Sequence, residues 1–187
     1  MSTKNERPFL AHPRTGYIYI PTMFNLMNRM RKVSVVMGST SDLDVMKDAI
    51  TSLKEFGISV DYGVYSAHRS PERLIEYCSN LKKSGTDVVI AGAGGAAALP
   101  GMIAAMTELP VIGVPIMGRS LNGLDSLLSI VQMPPGVPVA TVGINASKNA
   151  ALLAVRMIAL FDDDVRKKLE EFIKKQKKEA AEKQLIL

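Results

Sequence analysis

From Val33 to Phe161 the apolar residues of this chain follow two patterns that take turns. Short apolar runs, some unbroken and some alternating with polar residues, lie at Val33–Met37, Ile58–Tyr65, Asp87–Ala91, Val111–Val114 and Val139–Ile144. Their length and β-branched content predict five strands. Between them apolar residues recur three and four apart, as in Val45, Met46, Ile50 and Leu53, or Ala150, Leu153, Met157 and Leu160. That spacing predicts helices, including one from Leu99 through Leu109 and one over Leu121–Met133. The punctuation agrees. Gly57 and Gly85 stand where helices should stop, Pro71 where one should start, and Ser147 or Asn145 where the helix carrying Ala150 needs a cap. Strand and helix alternate at short spacing, the pattern of a parallel, doubly wound sheet covered on both faces.

The flanks read differently. Residues 1–32 show no convincing period, beyond a short strand at Tyr17–Ile20 and a weak helix at Met23–Met30. They are expected to be a flexible or added leader, with Met30 as an alternative start. Residues 33–161 are expected to form the catalytic domain. After Phe161, Asp162-Asp163-Asp164 opens a helix over residues 162–187 whose acidic start and Lys-rich later turns suit the helix dipole. Leu169, Phe172 and Ile173 form a short stripe on it, and Glu170–Lys174 and Glu171–Lys175 are expected as exposed pairs. The stripe can be part of a solvated helix or can lie on a neighbouring subunit.

Composition narrows the classes. The 187 residues are 47% hydrophobic and 22% charged, as in an ordinary soluble domain. The net charge of +5 is uneven: the first 32 residues hold six basic residues and one acidic, whereas residues 33–161 hold nine basic and ten acidic. The domain itself therefore has no polyanion-binding balance. Tryptophan is absent and aromatics are 5%, so no base-stacking surface is expected and nucleic acid is not a partner. The single Cys78 excludes an intrachain disulfide, and with two histidines it excludes a Cys/His zinc site; it reads as a buried thiol. Apolar stretches fall short of the about 20 residues of a membrane span, and Pro21, Asn25 and Asn28 interrupt any signal-peptide core, so no membrane partner and a cytoplasmic location are expected.

Three turns carry the candidate chemistry. Residues 38–42, 66–69 and 92–95 follow the first three strands and so share the carboxyl edge of the sheet, where open α/β sheets bind ligands. Helix N-termini there, with the hydroxyls of Ser39, Ser41 and Ser66, suit phosphate oxygens, and Arg69 adds a two-pronged charged contact. Asp42 repels phosphate but can accept hydrogen bonds from ribose hydroxyls, a role compatible with capping a helix. A mononucleotide fits this set better than a bare anion. Gly92, Gly94 and Gly95 would let a flat ring approach the backbone. His68 is one of two histidines, and the other, His12, lies in the leader. It is thus the domain's sole imidazole for proton transfer near neutral pH. Neither a Walker loop nor the dinucleotide fingerprint is present.

Six motifs in register make a resemblance specific. They are Gly38-Ser39-Thr40-Ser41-Asp42, Ser66-Ala67-His68-Arg69, Ala91-Gly92-Ala93-Gly94-Gly95-Ala96-Ala97, Leu99-Pro100-Gly101-Met102, Asp125 through Pro134, and Lys148 through Ala154. Over residues 33–161 the sequence resembles the class I N5-carboxyaminoimidazole ribonucleotide mutases of purine biosynthesis. The resemblance implies a three-layer α/β/α sandwich with a flavodoxin- or Rossmann-like parallel sheet, assembled as a homo-octamer with active sites at subunit contacts. It implies a reaction without metal or cofactor that moves a carboxylate from N5 to C4 of an aminoimidazole ribotide through transient CO2. By motif, Ser39, Ser41, Asp42 and Arg69 would bind the ribotide. Ser66, Ala67, Gly92, Gly94, Gly95, Ala96, Ala98 and Leu99 would line the site, and His68 would be the general acid and base. One departure stands out: the family usually has His before Leu-Pro-Gly-Met, where this chain has Ala98. Pro135 and Arg119 are lesser ones. A ribotide-binding assembly with weakened catalysis, and direct carboxylation by CO2, are the rival expectations.

Overall fold

The computed structural model describes residues 29–182 of the chain. The leader reading, up to residue 28, and the last five residues lie outside the described residues. From Arg31 onward the described residues form one compact unit. Its strands are β1 (Lys32–Met37), β2 (Ser59–Val64), β3 (Val88–Gly94), β4 (Val111–Ile116) and β5 (Ala140–Thr141). Its helices are α1 (Leu43–Glu55), α2 (Pro71–Leu81), α3 (Leu99–Met106), α4 (Leu124–Val131), α5 (Ser147–Ile158) and α6 (Asp163–Glu182). All strand pairs are parallel, in the order β2-β1-β3-β4-β5. This is the flavodoxin-like order, with its switch point between β1 and β3.

Alternation along the strands builds two cores. Val33, Val35 and Met37 of β1 face one side, with Ile90 and Val114, against α1, α5 and α6. Val36 of β1 faces the other, with Val89, Ala91 and Ala93, against α2, α3 and α4. Three layers result, because every strand but the edges is apolar on both faces.

The extremities differ from the expectation in places. The strand β3 runs on to Gly94, paired with Ile116, so most of the glycine-rich stretch is sheet and not turn. The strand β5 shrinks to two residues. Neither Ser147 nor Asn145 caps α5. Ser147 Oγ donates to the Val45 carbonyl of α1 at 2.5 Å, and Asn145 Oδ1 accepts from the Met117 amide at 2.9 Å. The stripe on α6 packs on its own chain. Val165 and Leu169 are buried, Phe172 meets Phe56 edge-on with ring centroids 5.6 Å apart, and Lys168 Nζ donates to the Phe56 carbonyl at 3.1 Å. The expected Glu170–Lys174 and Glu171–Lys175 pairs do not form. Asp163–Arg166, Asp164–Lys167, Lys175–Glu179 and Lys178–Glu182 do. Arg31, expected in the leader, forms a clamp: its Nε lies 2.8 Å from Asp162 Oδ2 and its Nη2 donates to the Phe161 carbonyl at 3.2 Å. Asp162 in turn caps α6 by accepting from the Val165 amide at 3.1 Å.

Candidate active site

The carboxyl ends of β1, β2 and β3 open on one cavity of about 420 Å³ at the switch point. Its first wall is the turn after β1. Gly38 N donates to the Gly92 carbonyl at 3.2 Å, which ties this turn to β3. Ser39 and Asp42 then form a reciprocal capping box. The Ser39 hydroxyl accepts from the Ser41 amide at 3.4 Å and from the Ser41 hydroxyl at 2.9 Å, while Asp42 Oδ2 accepts from the Ser39 amide at 3.0 Å. Asp42 is 8% exposed. Burial raises its carboxyl above the usual range, and its bonds to the Ser39 amide, the Ser41 hydroxyl and the Gly38 backbone only partly oppose this. Its cap is thus internal to the turn and leaves it in the cavity wall.

The second wall is the turn after β2. The Tyr65 amide donates to the Met37 carbonyl at 2.9 Å, so Ser66 starts level with the end of β1. The Ser66 hydroxyl accepts from both the Arg69 amide and Arg69 Nε, each at 3.2 Å. Ser66 therefore orients Arg69 and is not simply a phosphate donor. Arg69 Nη2 reaches the Gly38 carbonyl at 3.5 Å, which bridges the two turns. His68 and Arg69 are exposed at the rim. The third wall comes from β3 and the start of α3, where Ala93, Gly94, Ala97, Ala98 and Leu99 line the cavity. Ala98 stands at the N-cap of α3 with no side-chain cap, so this wall carries no polar side chain there. Ala97 adopts φ 33, a left-handed backbone held by its amide on the Gly94 carbonyl at 3.2 Å.

Ser39, Asp42, Ser66, Ala67, His68, Arg69, Gly94, Ala98 and Leu99 are thus brought together. Ser41, Gly92, Gly95 and Ala96 are not in the lining. Ser41 holds Ser39 from outside. Gly92 is buried in β3, and a Cβ there would collide with Met46 and Ile116, so close packing requires this glycine. Gly95 has φ +63 with open space around it, so backbone conformation requires it. Gly38, Ala93 and Ala97, all inside the motifs that carry the resemblance, line the cavity as well. Among the described residues no group of three or more His, Cys, Asp or Glu side chains could hold a metal ion. Cys78 is buried in α2, where burial pushes its thiol up to about 11.

The model of one protein family, AIR carboxylase, matches residues 32–179. This chain belongs to that family. An N5-carboxyaminoimidazole ribonucleotide mutase of Pyrococcus abyssi is 57% identical over 143 residues, which cover 76% of this chain and 82% of the relative. A phosphoribosylaminoimidazole carboxylase of Saccharomyces cerevisiae is 56% identical over 147 residues, 79% of this chain but only 26% of that longer protein. Among solved structures, Treponema denticola PurE superposes with a TM-score of 0.76 at 27% identity, over 81% of this chain and 95% of that one. The family's match begins at Lys32, the first residue of β1, and extends through most of α6. The AIR carboxylase family therefore accounts for the C-terminal helix as well as the sandwich.

Proposed function

We propose that this chain is an N5-carboxyaminoimidazole ribonucleotide mutase that converts the N5-carboxylated ribotide to the 4-carboxylated one in purine biosynthesis. The observation that carries the reading is the meeting of Ser39, Asp42, His68 and Arg69 around one cavity at the switch point. Arg69, held by Ser66, supplies the fixed positive charge for phosphate. The Asp42 carboxylate accepts from ribose hydroxyls. His68, at the rim, faces the ring. N5 must gain a proton as its carboxylate leaves as CO2, and C4 must lose one after CO2 has been attached to it. One imidazole gives the first proton and takes back the second, and so ends as it began. The small residues Gly94, Ala97 and Ala98 leave room for CO2 beside the ring.

Trapping CO2 needs a site closed to water, yet His68 and Arg69 are exposed in the single chain. This supports a homo-oligomer, an octamer on the family resemblance, in which a second copy covers the rim. The apolar face of α4 and its approach supports the same reading, because Met117, Leu121, Leu124, Leu128 and Val131 are each about half exposed. A cytoplasmic location goes with this activity, and no described helix is long and apolar enough to cross a membrane.

The decisive test is ultraviolet-detected interconversion of the two carboxylated ribotides without added bicarbonate. Turnover supports the mutase. Synthesis that runs only from aminoimidazole ribotide plus bicarbonate would replace it with direct carboxylation. A second reading, ribotide binding with weakened catalysis, is favoured by the apolar wall at Ala98. It predicts binding by calorimetry with little turnover, and a gain in turnover on Ala98→His.

A further inference from the structure

The pocket assigned to the ribotide is short of positive charge. Arg69 and Asp42 line it with one charge of each sign. The ribotide brings a phosphate and, in either carboxylated form, a carboxylate as well. Arg69 serves the phosphate. The wall given to the ring is Gly94, Ala97 and Ala98, which offers the carboxylate no charged or polar side chain. A carboxylate taken out of water unpaired is costly, so the pocket of one chain leaves this ligand half matched.

The missing cation has one source at this edge of the sheet. The turns that follow the five strands are residues 38–42, 65–70, 95–98, 117–123 and 142–146. Together they hold two Lys or Arg residues, Arg69 and Arg119. Arg119, in the turn after β4, is exposed and has no ion-pair partner among the described residues. It is not in the lining of its own chain's pocket, and its turn is tied the other way. The Met117 amide donates to Asn145 Oδ1 at 2.9 Å, and a Cβ on Gly123 would stand 2.6 Å from the Ile144 side chain, so the turn leans on the end of β5. The buried Ser126 hydroxyl meets the Ile116 carbonyl at 2.8 Å and the Gly123 carbonyl at 2.9 Å, which pins both ends. The pocket lies on the opposite side, at β1 and β3.

The setting of Arg119 points to what covers it. Met117 and Leu121 flank it, and Leu124, Leu128 and Val131 continue the apolar face along α4, each about half exposed. A cation flanked by such a face is buried when the face is covered, and then needs an anion. The rim of the ribotide pocket carries an exposed apolar residue of its own, Leu43 beside Asp42, and behind it the unmatched carboxylate of the ligand. Apolar surface meets apolar surface, and cation meets anion.

We propose that Arg119 reaches across a subunit contact into the ribotide pocket of a second copy of this chain and pairs there with the carboxylate of the ligand. This rests on the ribotide reading of the pocket, and adds to it the residue that tells a carboxylated ribotide from an uncarboxylated one.

The test reads binding by calorimetry on the full chain, so it does not depend on turnover. Arg119→Ala should lower affinity for the 4-carboxylated ribotide by about 10- to 100-fold, the worth of hydrogen bonds to a charged group, and leave affinity for aminoimidazole ribotide within about twofold of the parent. Arg119 is exposed, so the variant should fold, which its melting curve checks. Arg69→Ala should weaken both ribotides. The Arg69→Ala and Arg119→Ala chains are then co-expressed and purified through a different tag on each. Tight binding of the 4-carboxylated ribotide should return to part of the sites, because a pocket that keeps its own Arg69 meets the Arg119 of the other copy. No return overturns the proposal and puts Arg119 in the pocket of its own chain. No loss in Arg119→Ala, or equal loss for the two ribotides, overturns it too. A parent that binds both ribotides without interconverting them removes the mutase reading and leaves this comparison readable. A parent that binds neither removes both.

Discussion

The two ends of β1 each place an aspartate in a buried setting, and treat it in opposite ways. At the amino end, Asp162 is 17% exposed and meets the Arg31 guanidinium, itself 10% exposed, at 2.8 Å. Burial alone would raise its carboxyl. The Arg31 hydrogen bond, the Val165 and Asp164 amides and the Arg31 charge outweigh that and hold it below the usual 3.8. At the carboxyl end, Asp42 is more deeply buried and meets no cation, only the Ser39 and Gly38 backbone and the Ser41 hydroxyl. Burial wins there, and its carboxyl rises above 3.8. One end of the strand uses its aspartate to close the fold. The other keeps a charge without a cation, at a cost to stability, beside the cavity where a ligand can use it.

Asp42→Asn separates the two uses most sharply. The amide oxygen can still accept from the Ser39 amide, but the charge that would hold ribose hydroxyls is gone. Ribotide affinity by calorimetry should fall about 100-fold, the worth of hydrogen bonds to a charged group. The melting temperature at pH 7 should rise by about 1–3 °C. The sign follows from linkage. With a raised folded pKa, the stabilising contribution of Asp42 is full below 3.8 and is lost as pH rises through the folded value. The advantage of the Asn variant should therefore vanish below 3.8.

Asp162→Asn should do the reverse. It leaves turnover within about twofold and costs about 2 kcal/mol, since a largely buried partner is left unpaired. That is a drop of about 4–8 °C in melting temperature for a chain of this size. Asp162 has a depressed folded pKa, so its contribution is present above 3.8 and is lost as pH falls through the folded value. The deficit of the variant should shrink in acid. Equal pH profiles for the two variants would mean that the two aspartates do not differ in this way. The smallest effect is expected at Lys82→Ala. This residue lies 2.8 Å from Glu108, but both side chains are more than four-fifths exposed, and the melting temperature should move by no more than about 1 °C.

Much of this was legible in the sequence, for local reasons. The five strands, the alternation of helices and the three turns at one sheet edge all follow from periodicity and from Gly, Ser and Pro placement. What failed depended on distant neighbours. Gly92 reads as a ligand-facing glycine until Met46 is seen to occupy the space a Cβ would need. Ser147 reads as a cap until its hydroxyl is found on the carbonyl of Val45, in another helix. The α6 stripe reads as solvated or as lying on a neighbouring subunit, because nothing near it in sequence announces Phe56, more than a hundred residues earlier in the same chain, on which Phe172 packs. Arg31 looked like part of a basic leader because nothing near it in sequence announces Asp162. The left-handed backbone at Ala97 has no sequence signal at all.

The central claim is that His68 moves the proton in a site whose ligand contacts lie elsewhere. The most direct measurement pairs calorimetry and turnover on His68→Asn. Ribotide affinity should stay within about threefold of the parent while turnover falls by at least about 100-fold, the usual contribution of a general acid and base. Turnover close to the parent's, with affinity retained, would contradict it.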